Sequence, residues 1–290
     1  MKNLFLFFLA LISISYSCAQ NKQAAASYEV ACIGFYNVEN LFDTIDTPGV
    51  RDTEYTPKGE NRWTTERYLE KLDRLAEVIS LMGVEYTPDG PAVLGLAEVE
   101  NREVVYDLTQ QVRIKNRGYE IVHYDSPDKR GIDVALMYQP KYFKVESSST
   151  HKLEIPGRDD FYTRDLLLVS GQFMGERMHF MVAHWPSRRG GEKRSSPLRE
   201  VAGLQAKTII DSITAAEGPD AKVIFMGDLN DDPVNKSVKV NMNSKGNIKK
   251  VVPGSVFNPF EELYKKGIGT LAWQDAWNLF DQIMMTPAFV

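Results

Sequence analysis

Cysteine is nearly absent: the 290 residues hold two, Cys18 and Cys32, which allow at most one disulfide and exclude a disulfide-built scaffold. Histidine is almost as scarce, with four, and no Cys/His cluster exists to hold zinc. A surplus of positive charge is missing too. Lys and Arg number 34 against 39 Asp and Glu, a net of -5, so a basic coat that grips long DNA regardless of sequence is excluded. Any grip on nucleic acid must be local. The apolar run from Leu4 to Ile14 is shorter than the roughly 20 residues that cross a bilayer as a helix. What is present is an ordinary globular composition, 43% hydrophobic and 25% charged, which suits one large α/β or two-sheet domain or about two smaller ones.

The N-terminus has its own pattern. Lys2, the apolar run and the small polar residues after it predict a signal peptide over residues 1–17. Ser15 to Cys18 resembles a bacterial lipobox, although Ser15 stands where Leu is usual. The resemblance implies acylation of Cys18, a polar tether over 18–27, and an exported protein held at a membrane. Plain cleavage by the general signal peptidase is the alternative. Cys32, the small residue of the apolar run Val30 to Phe35, is expected in the core.

From residue 28 to 290 nothing divides the chain. Short β-branched and aromatic runs recur, each ending in polar residues: 29–36, 92–97, 119–124, 132–138, 166–173, 178–183, 222–226 and 279–285. Between them Leu69, Leu72, Ala76, Ile79 and Met82 fall at helical spacing, as do Leu198, Val201, Leu204, Ile209 and Ile213, a helix expected to start at Ser196 and Pro197. The alternation predicts an α/β protein of two packed sheets flanked by helices.

Several of these strands stop at an acid or amide: Asn37 and Glu39, Glu98, Asp228 and Asn230, with Asp281 inside the last. Singly, each is a common turn or cap residue. Together, on strands packed side by side, they predict one shared site. Arg164, mid-strand in YTRDLL, needs a buried partner, either a carboxylate or a phosphate. After His184 and Trp185 come Arg188, Arg189, Lys193, Arg194 and Arg199 against the single acid Glu192, a local basic segment in an acidic protein. Trp185 is open to stacking or packing. Asp133 interrupts an apolar strand, and Asp46, Glu54 and Arg62 lie in a long polar loop, 43–63, expected to be functional or disordered.

The motifs FYNVENLFD (35–43), LAEVEN (96–101), RGIDVALMY (130–138), YTRDLL (162–167), AHWPSRRGG (183–191), MGDLND (226–231) and LFDQIM (279–284), in this order, resemble the endonuclease/exonuclease/phosphatase superfamily of metal-dependent phosphoesterases. The resemblance implies a DNase I-like four-layer sandwich. It makes Glu98 the principal Mg²⁺ ligand, with Asn37, Glu39 and Asp281 close by and Mn²⁺ a possible substitute; all are oxygen donors of the kind Mg²⁺ selects. It makes Asp228 the group that orients or deprotonates the attacking water and Asn230 the amide that holds the phosphate and that aspartate in register. His184, Asp281 and Asn230 join Asp228 as catalytic residues, and Arg164, His184, Arg188 and Arg189 face the substrate phosphate.

Two departures stand out. Val182 occupies a position where the family often has Asn, and the sequence ends at Val290 without the Ser-Asp-His segment that pairs its histidine with the aspartate matching Asp281. The expectation is therefore an incomplete last strand, with Asp281 unpaired and the strand 279–285 at a sheet edge. The favoured function is a Mg²⁺-dependent phosphodiesterase, an extracytoplasmic endonuclease acting on nucleic acid. The alternatives are a phosphatase or lipid-headgroup phosphodiesterase of the same fold, or an inactive lipoprotein that binds anions or a partner.

Overall fold

Alternating and continuous apolar runs become two stacked sheets in a computed structural model, which describes residues 29–273 and 275–290. The expected leader and the tether with Cys18 lie outside those residues. Ala31–Val290 make up one compact unit. Its first sheet joins β1 (Cys32–Leu41), β2 (Pro91–Val99), β3 (Glu120–His123) and β4 (Asp133–Tyr138) in the order β1-β2-β4-β3, with α1 (Thr65–Leu81) and α2 (Arg102–Thr109) between strands. The second runs β5 (Phe143–His151), β6 (Leu166–Phe173), β7 (Glu176–His184), α3 (Glu192–Glu217), β8 (Val223–Asp228), β9 (Ser244–Lys245), β10 (Val256–Phe257) and α4 (Phe260–Lys265). A hairpin, β11 (Leu271–Trp273) and β12 (Ala276–Asn278), precedes β13 (Asp281–Met285). The order across the second sheet is β5-β6-β7-β8-β13-β10-β9.

Three apolar layers hold this together. Leu72, Leu75, Ala76 and Ile79 of α1 and Val104, Val105 and Leu108 of α2 pack on the outer face of the first sheet. Between the sheets Val93, Ala97, Val134 and Leu136 meet Val169, Phe180, Val182 and Met226. On the far side Ala202, Ala206 and Ile210 of α3 cover Met181, Ala183 and Phe225. The layering is helix, sheet, sheet, helix, the DNase I-like arrangement. A β2 buried on both faces follows from its near-continuous apolar sequence. Gly95 sets the approach of the sheets, since a Cβ there would lie 2.6 Å from Met226 Sδ and 3.2 Å from Val182 Cγ2.

Several expectations change. The strand β5 is absent from the sequence reading because Glu146 to Thr150 is a polar run, which is what an edge strand tolerates. The helix expected at Ser196 begins at Glu192 instead, with Pro197 inside it near the N-terminus, where one lost backbone bond costs less. Strand β13 is covered only in part on its second side: β8 pairs along all of one side, β10 meets the other at Phe257 and Met285 alone, and residues 281–284 have no ladder partner there among the described residues. The loop 43–63 is ordered by a stack of Tyr55 on Phe42 at 4.1 Å and by Trp63, whose Nε1 donates to the Phe42 carbonyl. Cys32 is only half-buried, a free thiol whose pKa burial raises, so the expected core placement is replaced by a packed but unreactive position.

Candidate metal-assisted active site

The site forms where the two sheets meet at their strand ends. In the second sheet His184 is paired directly with Asp228, and Asp228 with Asp281, so three polar residues of β7, β8 and β13 form one row across the sheet. Directly paired residues present their side chains on the same face. The first sheet contributes Asn37 from β1 and Glu98 from β2. Asn37 Nδ2 donates to Asp228 Oδ2 at 3.0 Å, the hydrogen bond that ties the sheets at this point. His184 Nε2 lies 3.8 Å from both Glu98 Oε1 and Asp228 Oδ2.

Backbone conformation aims these groups. Glu98 (φ 66°), Glu39 (φ 53°), Asn40 (φ 60°) and Asn230 (φ 50°) all occupy the left-handed region without being glycine, a strain of about 1–3 kcal/mol each that clusters at functional sites. The Asn230 N–H donates to Asp228 Oδ1 at 2.8 Å, its side-chain amide donates to the Trp185 carbonyl, and its own carbonyl accepts from Arg188 Nε. Asp228 therefore has both oxygens fixed, one by Asn37 and one by Asn230. The holding of Asp228 expected of Asn230 is performed by its main chain.

Three carboxylates, Glu98, Asp228 and Asp281, share this space. Burial first, and Glu98 next among the neighbouring charges, pushes Asp228 up to about 6; burial, then Asp228, Glu98 and Glu39, pushes Asp281 up to about 7. Asp281 Oδ1 is buried with no hydrogen-bond partner among the described residues. Glu98, His184 and Asp228 can each direct one atom to a common point, those atoms lying within 4.8 Å of one another. Mutually repelling oxygen donors with one of them orphaned are what a hard divalent cation would satisfy, so the residues fit a metal. Glu39 stands further out. It is exposed at the rim, its N–H donates to Asn37 Oδ1 and its carbonyl accepts from Lys71.

His184 is buried, and burial together with Arg164 and Arg130 drives its pKa well below the ordinary value, leaving a neutral imidazole whose Nδ1 has no partner among the described residues. Arg164 finds a carboxylate, but Asp128 rather than its neighbour Asp165: one amine lies 3.0 Å from Asp128 Oδ2 and the other donates to the Trp185 carbonyl. Trp185 packs in the core beside Phe225, 6.0 Å between ring centroids, which settles stacking against packing. Asp133 is buried as well, accepting from the Ser126 N–H and lying 3.2 Å from His123 Nε2.

The basic segment is the main correction. Arg188 is turned inward onto the Asn230 carbonyl, Asp231 and Asp232, with its guanidinium 4.5 Å from the Phe280 ring centroid. It braces the loop behind Asp228, with its guanidinium already engaged by protein groups. Arg199 has no exposed surface and pairs with Asp231 at 2.7 Å. Arg189, Lys193 and Arg194 remain exposed. Residues with no role assigned from the sequence support those that have one: Asp128, Asp231 and Asp232 hold Arg164, Arg188 and Arg199, Arg130 lies 4.0 Å from Asp128, and Thr270 Oγ1 accepts from the Asp281 N–H. Their only signal was position: Asp231 and Asp232 directly follow MGDLN, and Asp128 and Arg130 form the turn before β4.

Residues 32–290 match the Endonuclease/Exonuclease/phosphatase family. Similar solved structures include an endonuclease/exonuclease/phosphatase family protein of Bacteroides thetaiotaomicron, 14% identical with a TM-score of 0.56, covering 88% of this chain and 82% of that one. A mannosyl-6-phosphatase of the same organism is 14% identical with a TM-score of 0.54, over 88% of this chain and 84% of its own. A truncated TDP2 of Caenorhabditis elegans is 21% identical with a TM-score of 0.51, over 75% and 78%. No curated protein sequence matches. At these identities the structural likenesses establish the fold, and the match over 32–290 establishes kinship: the chain belongs to the Endonuclease/Exonuclease/phosphatase family, whose members are hydrolytic phosphoesterases.

Proposed function

We propose that the protein hydrolyses phosphodiesters by in-line attack of water, with Mg²⁺ as the resident cation and Mn²⁺ as a substitute, in the manner of a nuclease. The observation that carries this reading is the convergence of Glu98, His184 and Asp228, whose ligand atoms lie within 4.8 Å of one another, with Asp281 paired beside Asp228 in the ladder and Asp228 clamped by Asn37 and Asn230. A bound divalent cation supplies neutralisation of charge on the phosphoryl oxygens and leaving group. Glu98 and Asp281 would hold it. Asp228, its carboxylate plane fixed from both sides, orients water and accepts its proton. Neutral His184 has one N–H to give to a phosphoryl oxygen, and burial keeps competing water from it.

A second reading, phosphomonoester hydrolysis, is favoured by the inward turn of Arg188 and Arg199, which removes two of the five cations that suggested a nucleic-acid strand. Likeness in fold to a mannosyl-6-phosphatase is compatible with it. The test is a panel of bis(p-nitrophenyl) phosphate, a single-stranded oligonucleotide and mannose 6-phosphate with Mg²⁺. Turnover of the first two supports the diesterase, turnover of the sugar phosphate alone supports the phosphatase, and full activity in EDTA overturns both. We also propose, from the sequence around Cys18, that the protein works exported and lipid-anchored. Cys18→Ser should lose acyl label and leave the membrane fraction; retained label excludes Cys18 as the anchor.

A further inference from the structure

Beside the catalytic row lies a cavity of about 490 Å³ that the mechanism above does not use. It opens between the segment after β5, the connection from β7 to α3, and the first turn of α3. Arg158, Arg164, Arg189 and Arg194 line it, and none of its lining residues is acidic. Arg158, Arg189 and Arg194 are exposed and, among the described residues, pair with no carboxylate. Asp159 lies on the same segment but lines a different hollow. Two more cations stand near the rim, Lys129 and Lys152, each 5.5 Å from the Tyr162 ring centroid.

Two further observations make this more than a charged surface. Arg164 is 9% exposed and its Nε has no partner among the described residues, so the one buried guanidinium lining the cavity is only partly satisfied by Asp128 and the Trp185 carbonyl. The start of the 26-residue α3 also borders the cavity through Gly190, Arg194 and Ser195, and its N-cap, Gly191, supplies no side chain to its free N–H groups. Uncapped donors at the positive end of a long helix favour an anion, and guanidinium forks match phosphate oxygens.

The cavity is wired to the catalytic centre. Arg164 lines it and also lines the small hollow against His184, while the Trp185 carbonyl that Arg164 bonds is the one that holds the Asn230 amide. Pro186 and Ser187, the next residues after His184 and Trp185, form part of its wall. An anion seated there would thus be joined through Arg164 and the Trp185 carbonyl to the residues that hold Asp228 and border His184, which places it where a second phosphate of one substrate can reach.

We infer that this arginine-lined cavity is a second anion subsite that takes a non-scissile phosphate, so that the preferred substrate carries at least two phosphate groups. The inference rests on the hydrolytic reading for its kinetic consequence but not for its binding consequence, and the test separates the two. In EDTA, where the cation site cannot hold phosphate, inorganic pyrophosphate should raise the thermal midpoint of the wild-type protein. It should do little for the Arg158→Ala/Arg194→Ala double variant, whose exposed positions leave the core untouched.

With Mg²⁺, kcat/KM is compared within two substrate pairs: the dinucleotide TpT against its 5′-phosphorylated form pTpT, and glucose 6-phosphate against glucose 1,6-bisphosphate. In at least one pair the second phosphate should raise kcat/KM by roughly tenfold, and the double variant should lose that ratio. The pair that responds says whether the second phosphate comes from a nucleic-acid backbone or from a compact ester. Ratios within about twofold in both pairs overturn the subsite, as does equal stabilisation of wild type and variant by pyrophosphate. If no substrate is turned over, the hydrolytic reading fails and the pyrophosphate measurement alone decides the cavity.

Discussion

The two sheets deliver their residues to the same centre by opposite means. The seven-stranded sheet uses register: His184, Asp228 and Asp281 are paired across β7, β8 and β13, and the hydrogen-bond ladder spaces them whatever their side chains. The four-stranded sheet uses departure from register. Glu98, Glu39 and Asn40 sit in left-handed backbone where β1 and β2 lose their regular pairing. Those conformations persist because neighbours hold them, among them Lys71 on the Glu39 carbonyl and the Glu100 N–H on the Leu41 carbonyl. One side is a frame and the other an arm under tension, and each should fail in its own way.

The largest effect should come from undermining the frame from behind. Arg199→Ala leaves Asp231 buried beside a lost partner and should cost about 3–5 kcal/mol of stability, read as a large fall in the denaturant midpoint. A loss under about 1 kcal/mol would show that Ser237 and Arg188 suffice to hold Asp231. Next come Asp228→Asn from the frame and Glu98→Gln from the arm, each expected to lower kcat more than about 100-fold, near 3 kcal/mol of transition-state stabilisation. They should differ in remedy. Higher Mg²⁺ should partly restore Glu98→Gln and leave Asp228→Asn unimproved; an equal response would erase the distinction between ligand and base.

Pushing the sheets apart tests whether frame and arm must touch. Gly95→Val drives a side chain into Met226 and Val182 and should cost about 1–3 kcal/mol while loosening the bond from Asn37 to Asp228. Unchanged kcat with reduced stability would show that the contact is dispensable for chemistry. The smallest effect is on melting. Asp228 and Asp281 have raised pKa values in the folded state, so between the ordinary carboxylate range and about 7 the native protein binds more protons than the unfolded one. Without a cation, stability therefore falls as pH rises through that window, and a cation offsets the loss. The gain in Tm on adding Mg²⁺ should be greater at pH 8 than at pH 5; equal gains would place the cation away from these carboxylates.

The frame was the more legible half in the sequence. An apolar run that stops at Asp228, or at His184, marks a strand end, and neighbouring strand ends converge whatever lies between them. The arm was half legible: Asn37 and Glu98 stood out, but nothing in FYNVENLFD announces that Glu39 would face solvent. The basic segment misled because charge along a chain does not show direction. Arg188 and Arg199 look like their neighbours Arg189 and Arg194 until the loop after β8 brings Asp231 and Asp232 beneath them. Strand β5 was missed for a related reason: a strand with one neighbour needs few apolar residues, so its sequence carries little of the pattern by which strands are found.

The in-register row also constrains how such a protein can change. Neighbouring strands stand about 4.8 Å apart, and a slip of one residue turns every side chain to the opposite face. The spacing between His184, Asp228 and Asp281 therefore cannot be adjusted in small steps; it is kept or lost whole. Gradual adaptation to a new substrate has to happen in the connections that end above the row, such as the segment after β5 and the turn into α3, where residues can be exchanged or inserted without altering the ladder. Divergence in this chain should accordingly be concentrated in its loops, with the reaction conserved and its clientele free to drift.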